Sequence, residues 1–187
     1  MDNEYKTYKH NPPHLFIPEA KYIISASTYK RIPLLRDDRA KDRLLDSLSI
    51  EFPKYEWTIE DWVILDDHYH LMADAPMNAG SLADIMREVH RFTALWINKN
   101  VRPEPVDFGR NARRVFQNYW DTCITYERSY FARINYIWFN PVKHGYVESP
   151  EEWKYGSYFY RFKDEYAEMQ KQIKKYPFNS IRVKGDF

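Results

Sequence analysis

The stretch EWTIEDWVILDDHYHLMADAP (56–76) constrains the fold more than any other part of the chain. It is strand-rich throughout and is interrupted only at Asp66 and Asp67, so it predicts a β-hairpin whose second arm carries His-Tyr-His. Side chains along a strand alternate between faces. His68 and His70 therefore share one face, while Tyr69 and Leu71 share the other. Imidazoles are costly to bury without partners, and two adjacent ones repel when both are protonated. A shared metal ion would remove that cost, and so would exposure to solvent. A His-x-His pair alone does not choose between them.

The flanking segments place this hairpin in a larger pattern. KYIISAS (21–27) reads as a strand, followed by TYKRIPLL, a turn with a proline stop. Asp37 or Asp38 caps a helix whose apolar face includes Leu44, Leu45 and Leu48 and which ends near Pro53. Beyond the hairpin, Ser81 caps a second helix. Leu82, Ile85, Met86, Val89 and Trp96 follow helical spacing there and read as core, with Arg87 and Arg91 pointing elsewhere. RVFQNYWDTCIT (114–125) reads as a fourth strand, and Thr125 caps a third helix running to about Asn140, closed by Pro141. Strand, helix, two strands, helix, strand, helix is the order of a ferredoxin-like or RRM-like α+β fold. That fold predicts an antiparallel sheet with helices packed on one face and the histidine strand in a central position. A length of 187 residues suits one domain over 1–187, with an irregular lead-in at 1–20 and a basic tail at 161–187.

The net charge of +1 does not announce a nucleic-acid partner. Basic residues cluster locally, with Arg110, Arg113 and Arg114 in one loop and Arg161, Lys163, Lys171, Lys174, Lys175, Arg182 and Lys184 in the tail. Clusters of this kind are usually solvated faces. Aromatics make up 18% of the chain; most read as core and a few as rings on which bases could stack. The lone Cys123 excludes an internal disulfide and suits a reducing cytosol. The polar N-terminus lacks a signal-peptide apolar region, and no run is long enough to span a membrane, so the expected location is cytoplasmic.

INYIWFNPVKHGYV (134–147) gives the histidines possible company. Tyr136 and Asn140 lie four apart, on one helical face about a turn from each other. The Asn140 carbonyl oxygen is a reasonable third ligand beside two neutral imidazoles. The Tyr136 phenol can attack phosphorus once its proton is removed and the phosphate is polarised. The plainer reading makes Tyr136 an ordinary amphipathic-helix residue and Asn140 a C-terminal cap before a proline. His10, His14, His90 and His144 read as surface or capping groups; Asp66 and Asp67 read as a solvated turn or, alternatively, as groups that help tune the metal site.

YIWFNPVKHGYV and DDHYHLM together resemble the signatures of the REP-associated tyrosine transposases, relatives of the HUH single-strand transposases of insertion sequences. HLFIPEAKYIISASTY, FTALWINKN and VFQNYWD occur in the expected order, so the resemblance covers roughly residues 14 to 160. It implies that His68, His70 and Asn140 bind Mg²⁺ or Mn²⁺. It also implies that Tyr136 attacks single-stranded DNA, leaving a 5′-phosphotyrosine and a free 3′-OH. The implied partners are DNA hairpins formed by palindromes, with Arg110, Arg113, Arg114, Lys143 and His144 as candidate DNA contacts. Two departures stand out. Asp66 and Asp67 occupy the place of proline and asparagine, and Thr122 follows Asp121 where relatives commonly have histidine. The competing readings are a host-adopted hairpin-binding protein with idle chemistry and an HUH nickase of the replication-initiator or relaxase kind. The resemblance leaves monomer and homodimer both open.

Overall fold

The computed structural model describes residues 5–6, 14–15, 17–101, 113–179 and 181. Strands β1 (Tyr5–Lys6) and β2 (His14–Leu15) pair antiparallel within the stretch read as an irregular lead-in. The main elements follow as β3 (Lys21–Ser27), α1 (Asp38–Lys54), β4 (Thr58–Ile64), β5 (His68–Asp74), α2 (Leu82–Asn100), β6 (Trp120–Ile124), α3 (Glu127–Lys143) and α4 (Ser157–Lys175). The strands β4-β5-β3-β6 form one sheet, antiparallel throughout. This is the predicted α+β fold, and the histidine strand β5 is central.

Helices cover both faces of the sheet instead of the single face predicted. Tyr22, Ile24, Ala26, Tyr69, Leu71 and Ala73 point into one core, which they share with Leu44 and Leu48 of α1 and Ile85 and Val89 of α2. Ile23, Val63 and Met72 point the opposite way, into a second core with Ile134, Ile137 and Trp138 of α3 and Tyr158 and Met169 of α4. The physical reason lies in β3 and β5, which are buried on both sides, one face apolar and the other pairing Ile23 and Met72 with the two histidines, and so need two covering layers.

Several helix ends depart from the predicted caps. Asp37 does cap α1, accepting a hydrogen bond from Arg39 N at 2.9 Å. At α2, a 3₁₀ turn over Ala79–Ser81 supplies the first carbonyls, and the Ser81 hydroxyl instead donates to Asn78 O and accepts from Trp57 Nε1. α3 begins at Glu127 after an extended Tyr126, so Thr125 is not its cap. Pro53 and Pro141 sit inside the last turns of α1 and α3 instead of ending them. A proline near a C-terminus removes one intrahelical bond, which is tolerable in a turn that is already ending. The basic tail is in large part α4, and Arg182 and Lys184 lie outside the described residues.

The α3–α4 layer is tied to β4 by a buried polar knot. Asp61 Oδ1 accepts from Trp138 Nε1 at 2.8 Å and from the Ser157 hydroxyl at 2.6 Å, with Arg161 Nη2 3.4 Å from Oδ2. Ser157 Oγ also accepts from Trp62 N, and Ile64 N donates to Tyr155 O, so the chain entering α4 covers one end of the β4 edge. This knot fixes α3 against the sheet and thereby sets what faces the histidines.

Candidate functional site

His68 and His70 are both buried, at 1% and 0% exposure, so the solvent-exposed reading of the pair is excluded. Their faces are set by register. Ser25 is the direct partner of His70 across β3–β5, and its Oγ lies 2.6 Å from His70 Nδ1. His68 Nδ1 lies 2.6 Å from Asp67 Oδ1. Each ring is therefore held through Nδ1, which directs Nε2 as the nitrogen available for another ligand.

The Asp66–Asp67 turn is anchored on all sides. Lys41, itself 2% exposed, reaches Asp66 Oδ1 at 2.9 Å, and Arg36 reaches Oδ2 at 3.2 Å. Leu35 N and Thr28 N donate to the carbonyls of Asp66 and Asp67, each at 2.8 Å. Arg31 Nε lies 3.0 Å from Asp67 Oδ2. The sequence reading of a solvated turn is corrected, because five neighbouring groups hold its charges and carbonyls.

α3 lays Tyr136 and Asn140 against these histidines. Both are buried, at 1% and 0% exposure. The Tyr136 ring centre is 5.3 Å from that of His70, and Asn140 Oδ1 is 3.1 Å from His68 Nε2. The helix then ends in a Schellman motif: Tyr146 N donates to Pro141 O and Gly145 N to Val142 O, with Gly145 at φ +71°. That glycine explains the final G of NPVKHG. The same turn brings Lys143 Nζ 3.4 Å from the Tyr136 hydroxyl and 4.7 Å from its ring centre, and His144 within 4.8 Å of the His68 ring. A cavity of about 270 Å³ lies beside Tyr136, lined by Val142, Lys143, Phe178, Asn179 and Ile181.

The electrostatics favour neutral imidazole at His68. Burial pushes its pKa down, against the raising pull of the Asp67 hydrogen bond. For Asp67, burial pulls upward, but the His68 hydrogen bond and the Arg31 charge hold it below the usual carboxylate range. An ionised carboxylate only accepts, so the His68 proton sits on Nδ1 and leaves a lone pair on Nε2. Asn140 Oδ1 is also an acceptor, so two lone pairs face each other across 3.1 Å, while Asn140 Nδ2 is buried with no hydrogen-bond partner among the described residues. Two arrangements resolve this conflict. The amide can rotate to donate Nδ2–H to the imidazole, or a cation can bind both lone pairs.

The donor set fits a divalent cation. Adjacent ligands of an octahedral ion with bonds of about 2.1 Å lie about 3.0 Å apart, close to the observed separation. Among the described residues no three His, Cys, Asp or Glu side chains cluster as a cation site, so a cation here would take its third protein donor from the Asn140 amide.

The remaining sequence candidates lie elsewhere. Arg114 packs its guanidinium 5.2 Å from the Tyr29 ring centre and donates to Phe116 O, and Arg113 O accepts from Asn98 on α2. Arg110 lies outside the described residues. Thr122 is exposed on the edge strand β6, opposite Ile23. His90 is not a surface group: its Nε2 is 2.8 Å from the Tyr69 hydroxyl, its ring stacks on Phe116, and burial pushes its pKa down to about 3. Ser25 and Arg31 carry no signal in the sequence, whereas Asp67, directly before His68, reads there either as part of a solvated turn or as a group that tunes a metal site.

The family model for IS200-like transposases matches residues 17–135, well over half of the chain. The chain belongs to the IS200-like transposase family. Its histidine pair falls inside the matched stretch, which stops one residue before Tyr136. Among curated relatives, a protein named as a REP-associated tyrosine transposase of Haemophilus influenzae is 28% identical over 138 residues, covering 67% of this chain and 76% of the relative. The REP-associated tyrosine transposase of Escherichia coli is 26% identical over 102 residues, covering 54% of this chain and 53% of the relative. A solved structure of a REP-associated tyrosine transposase bound to a REP hairpin superposes with a TM-score of 0.64 at 20% identity. That match covers 100% of this chain and 95% of the other, and it shows the shared fold. This IS200-like transposase is thus a DNA strand transferase. Among its described residues no helix is long and apolar enough to cross a membrane.

Proposed function

We propose that this transposase, acting as one domain over 1–187, cleaves and rejoins single-stranded DNA beside hairpin-forming palindromes. Tyr136 is its nucleophile, and His68, His70 and Asn140 hold Mg²⁺ or Mn²⁺. The observation that carries this reading is the facing of two pairs: Tyr136 against His70 and, one helical turn on, Asn140 against His68. The hairpin as substrate is supported by the relative of like fold that was solved bound to one.

A bound divalent ion would polarise the scissile phosphate and favour negative charge on the leaving oxygen. The chain's residues do the rest. Tyr136 Oη forms a bond to phosphorus, the phosphorus–O3′ bond breaks, the phenol proton passes to solvent, and the departing oxygen takes up a proton to become the 3′-OH. Energy comparable to the broken phosphodiester is kept in the 5′-phosphotyrosine, so a 3′-OH can reverse the step and rejoin a strand. A phenol has a reference pKa of about 10 and needs help to ionise. The Lys143 ammonium, 3.4 Å from the phenol oxygen, favours the charge that develops there.

The test is Tyr136→Phe, which removes one oxygen and leaves the ring packed on His70. With DNA labelled on the 3′ side of the cleavage site, wild type gives a covalent adduct on a denaturing gel, whose peptide maps to Tyr136 by mass spectrometry. The Phe variant binds the hairpin and gives no adduct. An adduct in the Phe variant, or one mapping to Tyr126 or Tyr130, overturns the assignment.

A further inference from the structure

We propose that Asp67 is a positioning residue for the cation site: it fixes the proton of His68 on Nδ1 and thereby sets how tightly a divalent ion is held. This rests on the reading of His68 as a cation ligand. The side chain is ordered from three directions. Oδ1 lies 2.6 Å from His68 Nδ1, Oδ2 lies 3.0 Å from Arg31 Nε, and the backbone carbonyl accepts from Thr28 N. With both carboxylate oxygens and the carbonyl engaged, Asp67 cannot swing away from the imidazole without breaking the Arg31 pair.

The backbone that delivers Arg31 points the same way. Lys30 and Arg31 both adopt left-handed conformations, with φ of 54° and 58°. Non-glycine residues seldom do this, and two in succession persist only where their surroundings hold them. Here Arg31 N donates to Thr28 O at 3.0 Å and Thr28 Oγ1 donates to Ile32 O at 2.6 Å, closing a tight turn that aims Arg31 at Asp67. An outer carboxylate that accepts the Nδ1–H of a liganding histidine fixes its tautomer and makes the other nitrogen a stronger donor. Asp67 meets both requirements, whereas a solvated turn residue would meet neither.

The experiment measures Mn²⁺ affinity of the full chain by electron paramagnetic resonance titration without DNA. It compares wild type, Asp67→Ala, Asp67→Asn and His68→Ala, with the His68 tautomer read from ¹⁵N chemical shifts. Asp67→Ala weakens Mn²⁺ about 10- to 100-fold and loses the pure Nδ1–H tautomer. Asp67→Asn falls between, because its amide oxygen still accepts the same proton without the charge; it also serves if the alanine variant fails to fold. If Asp67→Ala or Asp67→Asn matches wild type in affinity and tautomer while His68→Ala loses the ion, this inference falls and the metal reading stands. If His68→Ala binds Mn²⁺ as wild type does, the metal reading fails and this inference with it.

Discussion

Ser25 Oγ lies 2.6 Å from His70 Nδ1, joining direct cross-strand partners of β3 and β5 inside the sheet. Both residues are buried, at 2% and 0% exposure, so water cannot readily replace the hydroxyl if it is removed. Ser25→Ala should therefore cost about 1–3 kcal/mol, the usual penalty for stranding a buried polar atom. Urea denaturation measures the loss. Ser25→Thr keeps the hydroxyl and should recover most of it. A fully neutral Ser25→Ala would mean that His70 is held by its packing on Tyr136 alone.

Lys143 was a candidate phosphate contact in the sequence, but its ammonium stands over the Tyr136 ring and 3.4 Å from the hydroxyl. Lys143→Met should slow single-turnover cleavage at saturating hairpin by tenfold or more, since a donor aimed at developing charge is commonly worth that much. Hairpin affinity in a titration should change far less. The opposite pattern, weaker binding with an unchanged single-turnover rate, would return Lys143 to the role of a phosphate contact.

Gly145 is the residue at which α3 stops, with φ at +71°. No heavy atom lies within 4 Å of where its Cβ would be, so substitution meets conformational strain without a steric clash. Gly145→Ala should cost roughly 1 kcal/mol, while Gly145→Asn should cost less because asparagine tolerates the left-handed region. The measurement is the unfolding midpoint in urea. Equal midpoints for all three chains would show that the turn relaxes freely, and with it the placement of His144.

The fold was largely legible in the sequence because its signals are local. The strand at 21–27, the hairpin broken at Asp66–Asp67 and the Leu44/Leu48 and Ile85/Val89 stripes each state their own structure, and their order selects the topology. The second helical layer was not legible. Apolar residues on both faces of β3 and β5 give a continuous run that does not say how many helices must cover it, and α4 reads in isolation as a charged tail. At the site, Tyr136 and Asn140 announce a shared face by their spacing. Ser25 and Arg31 do not, because Ser25 reaches His70 through strand register and Arg31 reaches Asp67 through a left-handed turn, neither of which leaves a mark in local composition.

Asp61 gives a pH dependence that can be worked out in sign. Burial raises its pKa from an ordinary 3.8 to about 6, against the lowering effects of Arg161, Ser157 and Trp138. Between those two values the folded chain holds a proton that the unfolded chain has released, so stability falls as pH rises through that window. Above about 6 the carboxylate is ionised in both states and the full cost of burying the charge is present; below 3.8 that cost is gone. The whole excursion amounts to roughly 3 kcal/mol at most, at about 1.4 kcal/mol per unit. Asp61→Asn removes the titration while its amide oxygen can still accept from Trp138 and Ser157. Urea midpoints for both chains at several pH values between 4 and 7 isolate the effect, because every other titrating group is common to them. Wild type should gain on the Asn variant steadily as pH falls from 6 toward 4, with a constant offset from 6 to 7. A constant offset across the entire range would mean that Asp61 stays ionised at pH 4, with Arg161 compensating its burial in full.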